Sequence, residues 1–137
     1  MRTKIKIFLV VLATAFLTSC TLEEDLDPIS DDARDKFIDT WMFYENEAVR
    51  ASSYSVNITK DPGNSAQVLL KNFGNMGHAY SAYGIVTTSR IEVPSQEIYS
   101  GIIIEGTGRL ISTDEMEWEY TITGGGELEA YTATATR

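Results

Sequence analysis

Cys20 is the only cysteine of the 137-residue chain, and the residues around it dictate what its thiol can do. It follows Leu17-Thr18-Ser19 at the end of a weakly polar to apolar run that begins at Ile7. Arg2, Lys4 and Lys6 stand ahead of that run. A charged start and a short apolar stretch make a segment too short to span a bilayer but long enough to be led to a processing peptidase. Thr18 and Ser19 fit a peptidase subsite that excludes bulk. A lone thiol closes no intramolecular disulfide; at this position it either belongs to the processing site or is incidental to an ordinary secretory signal.

The other residues able to do chemistry are scattered. His78, the single histidine, lies in a Gly/Asn loop with no cysteine or second histidine to share a metal, and is read as a solvated loop residue. No serine sits in a nucleophile-elbow sequence. Glu115, Glu117 and Glu119 recur with period two, which puts all three on one exposed face; that is the pattern of solubility and edge protection, and it is not a calcium-loop spacing. The chain is therefore read as no enzyme, with no cofactor and no metal site. The aromatic residues Trp41, Phe43, Tyr54, Tyr80, Tyr83, Trp118 and Tyr120 admit two readings. They line a cup for an apolar or sugar ligand, or they fill the core of a barrel just wide enough for side chains. The ligand-binding candidates are Trp41, Tyr54, Trp118 and Tyr120. The filled-core reading is preferred, because about a hundred folded residues make short strands.

Removal of residues 1–19 leaves 118, enough for one domain. The eleven basic side chains lose Arg2, Lys4 and Lys6, so eight face twenty acids, a formal charge of −12. Such a surface repels phosphate backbones and anionic headgroups, which excludes nucleic acid as a partner. Thr21 to Ala33 holds six carboxylates, a proline and little apolar content, and reads as a disordered tether over residues 20–33. Ser30 to Phe37, with acids early and Lys36 late, predicts a short helix or 3₁₀ segment. From there to residue 137 the period is two. Strands are expected over Thr40–Arg50, Ser53–Lys60, Gln67–Phe73, Ala79–Thr87, Arg90–Val93, Gln96–Glu105, Gly106–Ser112, Glu115–Thr123 and Glu127–Thr136. Pro94 marks an edge or break and Gly101 a bend. The sharpest alternation sends Met116, Trp118, Tyr120 and Ile122 inward. Eight or nine strands with short turns and no crossover helix predict an all-β fold, a single antiparallel up-and-down barrel over residues 34–137.

Two resemblances add to this. Leu17-Thr18-Ser19-Cys20, with its n- and h-regions, resembles the lipobox of a bacterial lipoprotein. That implies a signal peptide over 1–19, acyl chains such as palmitate on Cys20, and attachment to the outer membrane. Each buried methylene contributes about 0.8 kcal/mol, so two or three chains hold firmly. Glu23, Glu24 and Asp25 resemble the acidic surface-export signal of Bacteroidetes-type lipoproteins, which implies display at the cell surface; a solvated linker is the other reading. The stretch Phe37-Ile38-Asp39-Thr40-Trp41 resembles the start of lipocalin-like (calycin) barrels, although Asp39 stands where their pattern has glycine. The folded part, through Asp61-Pro62-Gly63-Asn64-Ser65, Lys71-Asn72-Phe73-Gly74 and Tyr131-Thr132-Ala133-Thr134, looks like the small lipocalin-like lipoproteins of Bacteroidetes. The resemblance implies Trp41 at the closed end of the barrel, with a basic residue of the last strand, here Arg137, packed on it. It implies no agreed activity. Two functions stay open: a non-catalytic binding module for a small apolar or glycan ligand, and a structural or interaction protein with a filled core, such as an accessory subunit of a surface complex or a protein inhibitor.

Cys20→Ser is expected to leave the chain unprocessed or released from the membrane fraction. Fractionation and N-terminal sequencing check this; cleavage after Ser19 with unchanged membrane association would overturn the lipoprotein reading.

Overall fold

The computed structural model describes residues 31–46 and 52–137. Cys20, the acidic triplet, most of the tether and the expected end of the first strand lie outside the described residues.

Eight strands run in sequence order around a closed antiparallel barrel. They are β1 Asp39–Glu45, β2 Ser53–Lys60, β3 Gln67–Lys71, β4 Ser81–Val86, β5 Arg90–Tyr99, β6 Ile102–Ser112, β7 Glu115–Gly124 and β8 Glu127–Thr136. The up-and-down barrel expected from the sequence is the fold. Alternation builds it: Trp41 and Phe43, then Tyr54, Val56 and Ile58, then Val68 and Leu70 point inward and are buried. β7 does the same with Met116, Trp118 and Tyr120.

Packing inside follows a large-against-small rule set by register. Trp118 on β7 stands opposite Gly108 on β6 and Ala133 on β8, and Tyr120 stands opposite Gly106. A Cβ on Gly108 would lie 2.3 Å from the indole carbons Cε2 and Cζ2, and one on Gly106 would lie 2.5 Å from Tyr120 Cβ. The Gly-Thr-Gly of β6 is therefore the floor on which the two largest rings of β7 rest.

Three sequence expectations are corrected, and a fourth holds in part. Residues 33–37 form no helix; the amides of Asp35 and Phe37 bond back to the carbonyls of Asp32 and Arg34, at 3.0 and 2.9 Å, as consecutive turns. Gln96–Glu105 is not one strand. Ser100 (φ 41°) and Gly101 (φ 77°) make a two-residue hairpin turn, with the positive φ at both positions that a type I′ turn requires. β5 then ends before the turn, and the expected Gly106–Ser112 strand joins β6. Pro94 does not end β5, but it does break the ladder: the β5–β6 register shifts between Val93↔Gly106 and Gln96↔Ile104, and β4 has already parted, pairing with β5 only through Ile85↔Glu92 and Val86↔Ile91. Where the ladder stops, the Gln96 carboxamide takes it over. Its Oε1 accepts from the Tyr83 amide and its Nε2 donates to the Tyr83 carbonyl, both at 2.9 Å. Finally, Glu115, Glu117 and Glu119 protect no edge, since β7 is paired on both sides. Glu117 instead pairs with Arg109 across the β6–β7 ladder at 3.0 Å.

One end of the barrel is closed by the residues before β1. Phe37 is fully buried there, and its carbonyl accepts a bond of 2.8 Å from Trp41 Nε1. The Arg137 guanidinium lies 4.5 Å from the centre of the Trp41 ring, a cation–π contact. Arg34 fastens the same segment to the β2–β3 turn by donating to the carbonyls of Asp61, Asn64 and Gln67. Asp32 takes Arg34 in a 2.7 Å ion pair. The side chain of Arg34, then its amide and Lys60, hold the Asp32 carboxyl well below the usual carboxylate range.

Gly108→Ala tests the floor. Backbone entropy alone would favour alanine in a strand by about 0.5–1 kcal/mol, whereas the clash with Trp118 costs about 1–3 kcal/mol or more. A denaturant melt is expected to show net destabilisation; a gain in stability would mean that the ring does not rest on Gly108.

Candidate functional site

The other end of the barrel holds the polar chemistry of the interior. Glu45 ends β1 and Tyr54 begins β2, while Tyr120 arrives from the middle of β7. The Tyr120 hydroxyl donates to Glu45 Oε1 and the Ser52 hydroxyl to Glu45 Oε2. Since Tyr120 has spent its proton on the carboxylate, the 2.9 Å contact between the two phenols is donated by Tyr54. Burial pushes the Tyr54 phenol up, with the Tyr120 bond opposing. Burial pushes Tyr120 up as well, and the nearby Tyr54 and Glu45 add to it. Both phenols stay protonated at neutral pH and act as donors.

Aromatic rings enclose this network. Phe43 stacks on Tyr54 at 5.6 Å and meets Trp118 at 5.5 Å. Tyr131 stacks on Tyr120 at 5.1 Å. Into their midst comes Phe73, from a single 3₁₀ turn, Phe73–Asn75, between β3 and β4. Its ring lies 4.9 Å from Trp118, 5.1 Å from Tyr120 and 6.0 Å from Phe43. Trp118 is 1 % exposed, yet its Nε1 is the one buried side-chain nitrogen or oxygen among the described residues with no hydrogen-bond partner.

The structure thus brings together three of the four sequence candidates, Tyr54, Trp118 and Tyr120. Trp41 stands at the closed end, engaged with Phe37 and Arg137. Tyr80 and Tyr83 line no cup: both are partly exposed on the outside, where Tyr80 stacks on Tyr99 at 4.5 Å. Sequence reasoning missed Glu45 and Phe73. Glu45 gave no signal, because its partner Tyr120 lies 75 positions away. Phe73 did: Asn-Phe-Gly-Asn carries residues that tolerate positive φ on both sides of the ring. His78 is exposed, and no group of three or more His, Cys, Asp or Glu among the described residues could hold a metal ion.

A groove of about 660 Å³ lies on the outer face of β5–β8. Its outward-pointing lining includes Glu92, Glu105, Thr107, Glu119 and Thr132, while Val93 and Tyr120, which alternate with them, point into the core.

These features define a closed eight-stranded antiparallel barrel in which two buried tyrosines meet a partly buried carboxylate near one end. No protein-family model matches the chain, and no curated protein matches it. Among solved structures, that of EF1p2_mFAP2b bound to DFHBI is similar over 77 % of this chain and 97 % of its own, with 13 % identity and a TM-score of 0.49.

Tyr120→Phe would remove the bond between the two phenols and leave one Glu45 oxygen without its donor. The expected loss is about 1–3 kcal/mol in a urea melt. Tyr54→Phe added to it should cost less than it does alone, since the two act on one network; strict additivity would show that the phenols are uncoupled.

Proposed function

We propose that the protein is a cell-envelope lipoprotein, of the small lipocalin-like kind known from Bacteroidetes, that displays a non-catalytic binding barrel. Acyl chains on Cys20 attach it to the outer membrane, and Glu23, Glu24 and Asp25 direct it to the cell surface. The ligand is small, with an apolar or glycan ring and a polar edge, and it binds among the aromatic residues of the cluster end.

The observation that carries this reading is the polar chemistry buried where the fold needs none. A barrel this narrow is stable with apolar filling alone. Here two phenols, a carboxylate and an indole N–H without an acceptor are held inside an aromatic wall, at a cost in desolvation of about 1–3 kcal/mol for an unpaired group. Departures from a locally optimal core concentrate at functional sites, and apolar walls with a few convergent polar groups are what small-molecule sites are made of.

A second reading rests on a different observation. The interior is occupied by side chains and a groove of about 660 Å³ lies outside, on β5–β8, which suits an interaction protein that engages a macromolecular partner through its outer face.

Equilibrium binding of a naphthalene dye and a panel of mono- and disaccharides, followed by tryptophan fluorescence, separates the two. For the binding module, Tyr54→Phe weakens a bound probe about tenfold, the equivalent of about 1.4 kcal/mol, and Glu119→Gln in the outer groove leaves it unchanged. The reverse pattern, or no binding at all, overturns the module in favour of the second reading.

A further inference from the structure

We propose that Phe73 is a displaceable plug seated where the ligand binds, and that the ligand is a flat ring bearing a hydrogen-bond acceptor. This rests on the binding-module reading and specifies both its entry route and its ligand class.

Phe73 differs from the other rings of the cluster in how it gets there. Phe43, Tyr54, Trp118 and Tyr120 hang from paired strands; Phe73 hangs from the loop between β3 and β4. Four of the six residues in 72–77 have positive φ: Asn72 (67°), Gly74 (63°), Asn75 (58°) and Gly77 (101°). Asparagine and glycine take up this region at little cost, and a few such loop residues can absorb a hinge movement. The fastening is concentrated on one side chain. Asn72 is buried, its Nδ2 donates to the Ser55 carbonyl at 2.9 Å, and its Oδ1 accepts from the Gly77 amide at 2.7 Å. With the bond from the Asn72 amide to the Tyr80 carbonyl at 3.1 Å, this asparagine ties down the turn that carries Phe73.

The seat is better suited to another occupant than to phenylalanine. Its walls are rings tilted or edge-on to the plug at 4.9–6.0 Å, a geometry that suits another aromatic ring. The free donor beside it is the indole N–H of Trp118, one of the walls, which has no acceptor. A benzyl side chain offers a donor nothing; a ring with a carbonyl or ether oxygen satisfies it. The seated loop also has little clearance. A Cβ on Gly74 would fall 2.7 Å from Ile104 Cδ1 and 3.2 Å from Ile122 Cδ1, so Gly74→Ala disfavours the seated conformation without enlarging the chamber.

The test compares acetophenone with ethylbenzene, which has the same skeleton without the acceptor. Each is titrated into full-length wild type, Gly74→Ala and Phe73→Ala, while the indole N–H resonance of Trp118 is followed by NMR. Apparent affinity scales with the fraction of molecules whose site is open. Acetophenone is therefore expected to bind the wild type, to bind both variants at least about tenfold tighter, and to move the Trp118 resonance. Ethylbenzene should bind about tenfold more weakly than acetophenone. If the wild type binds acetophenone, Tyr54→Phe weakens it and the loop variants do not tighten it, the plug is wrong and the binding module stands. If only Phe73→Ala binds, and takes both probes alike, the site is a cavity made by truncation and the proposal falls. No binding by any form rejects the plug and an aromatic ligand together. Should Gly74→Ala not fold, Phe73→Leu, which keeps the loop and shortens the plug, takes its place.

Discussion

Closure of the sheet is the constraint on which the other features depend. β1 must pair with β2 along most of its length and with β8 as well, and the two ladders are staggered. The β1–β8 pairs run from Met42↔Thr136 to Glu45↔Ala133, which is the cluster half of β1 only. From Asp39 to Trp41 the strand has β2 on one side and no β8 partner on the other. Arg137, one residue past the last strand, covers that place by laying its guanidinium on Trp41, and the turn carrying Phe37 covers the end below it. The clasp at the closed end and the tyrosine cluster at the other are therefore two consequences of one stagger. Where the ladder fails, a side-chain seal stands in; where it holds, β1 can deliver a carboxylate to the interior.

The same logic recurs at the other weak seam. β4 and β5 part after two residue pairs, and Gln96 bonds the exposed backbone of Tyr83 in place of a strand. A carboxamide carries a donor and an acceptor side by side, so it reproduces one rung of a ladder. This is how a proline is tolerated in a strand of a barrel that has no edge.

Most of the architecture was legible in the sequence because the barrel obeys period two, and β7 obeys it best: every inward residue from Met116 to Tyr120 is buried. Short turns rich in glycine fixed the antiparallel order. Segmentation failed where composition ran apolar through a turn. Between Ile98 and Ile104 the one break is Ser100-Gly101, which reads as a bend within a strand, and the positive φ of both residues makes it the turn that separates β5 from β6. The expected strand Gln67–Phe73 stops at Lys71, because Asn72 turns the backbone left-handed just before Phe73. The site was half legible. Tyr54, Trp118 and Tyr120 announce themselves by type and phase, but Glu45 becomes a site residue only through contacts made across the closed barrel. Gly106 and Gly108 likewise gain meaning only from register, as the floor beneath two rings.

The anchoring of the N-terminal segment sets how the molecule bears load. Residues 31–37 run beneath the closed end, and Arg34 ties them to three carbonyls of the β2–β3 turn, with Asp32 also paired to Lys60. A pull on the chain ahead of residue 31 reaches these bonds before it reaches the β1 ladder. It arrives at a turn and an ion pair, not along the length of a strand. Tension from that side is thus dissipated at the base, while the rim that carries Phe73 and the tyrosines keeps its shape. The barrel is a cup held by its foot.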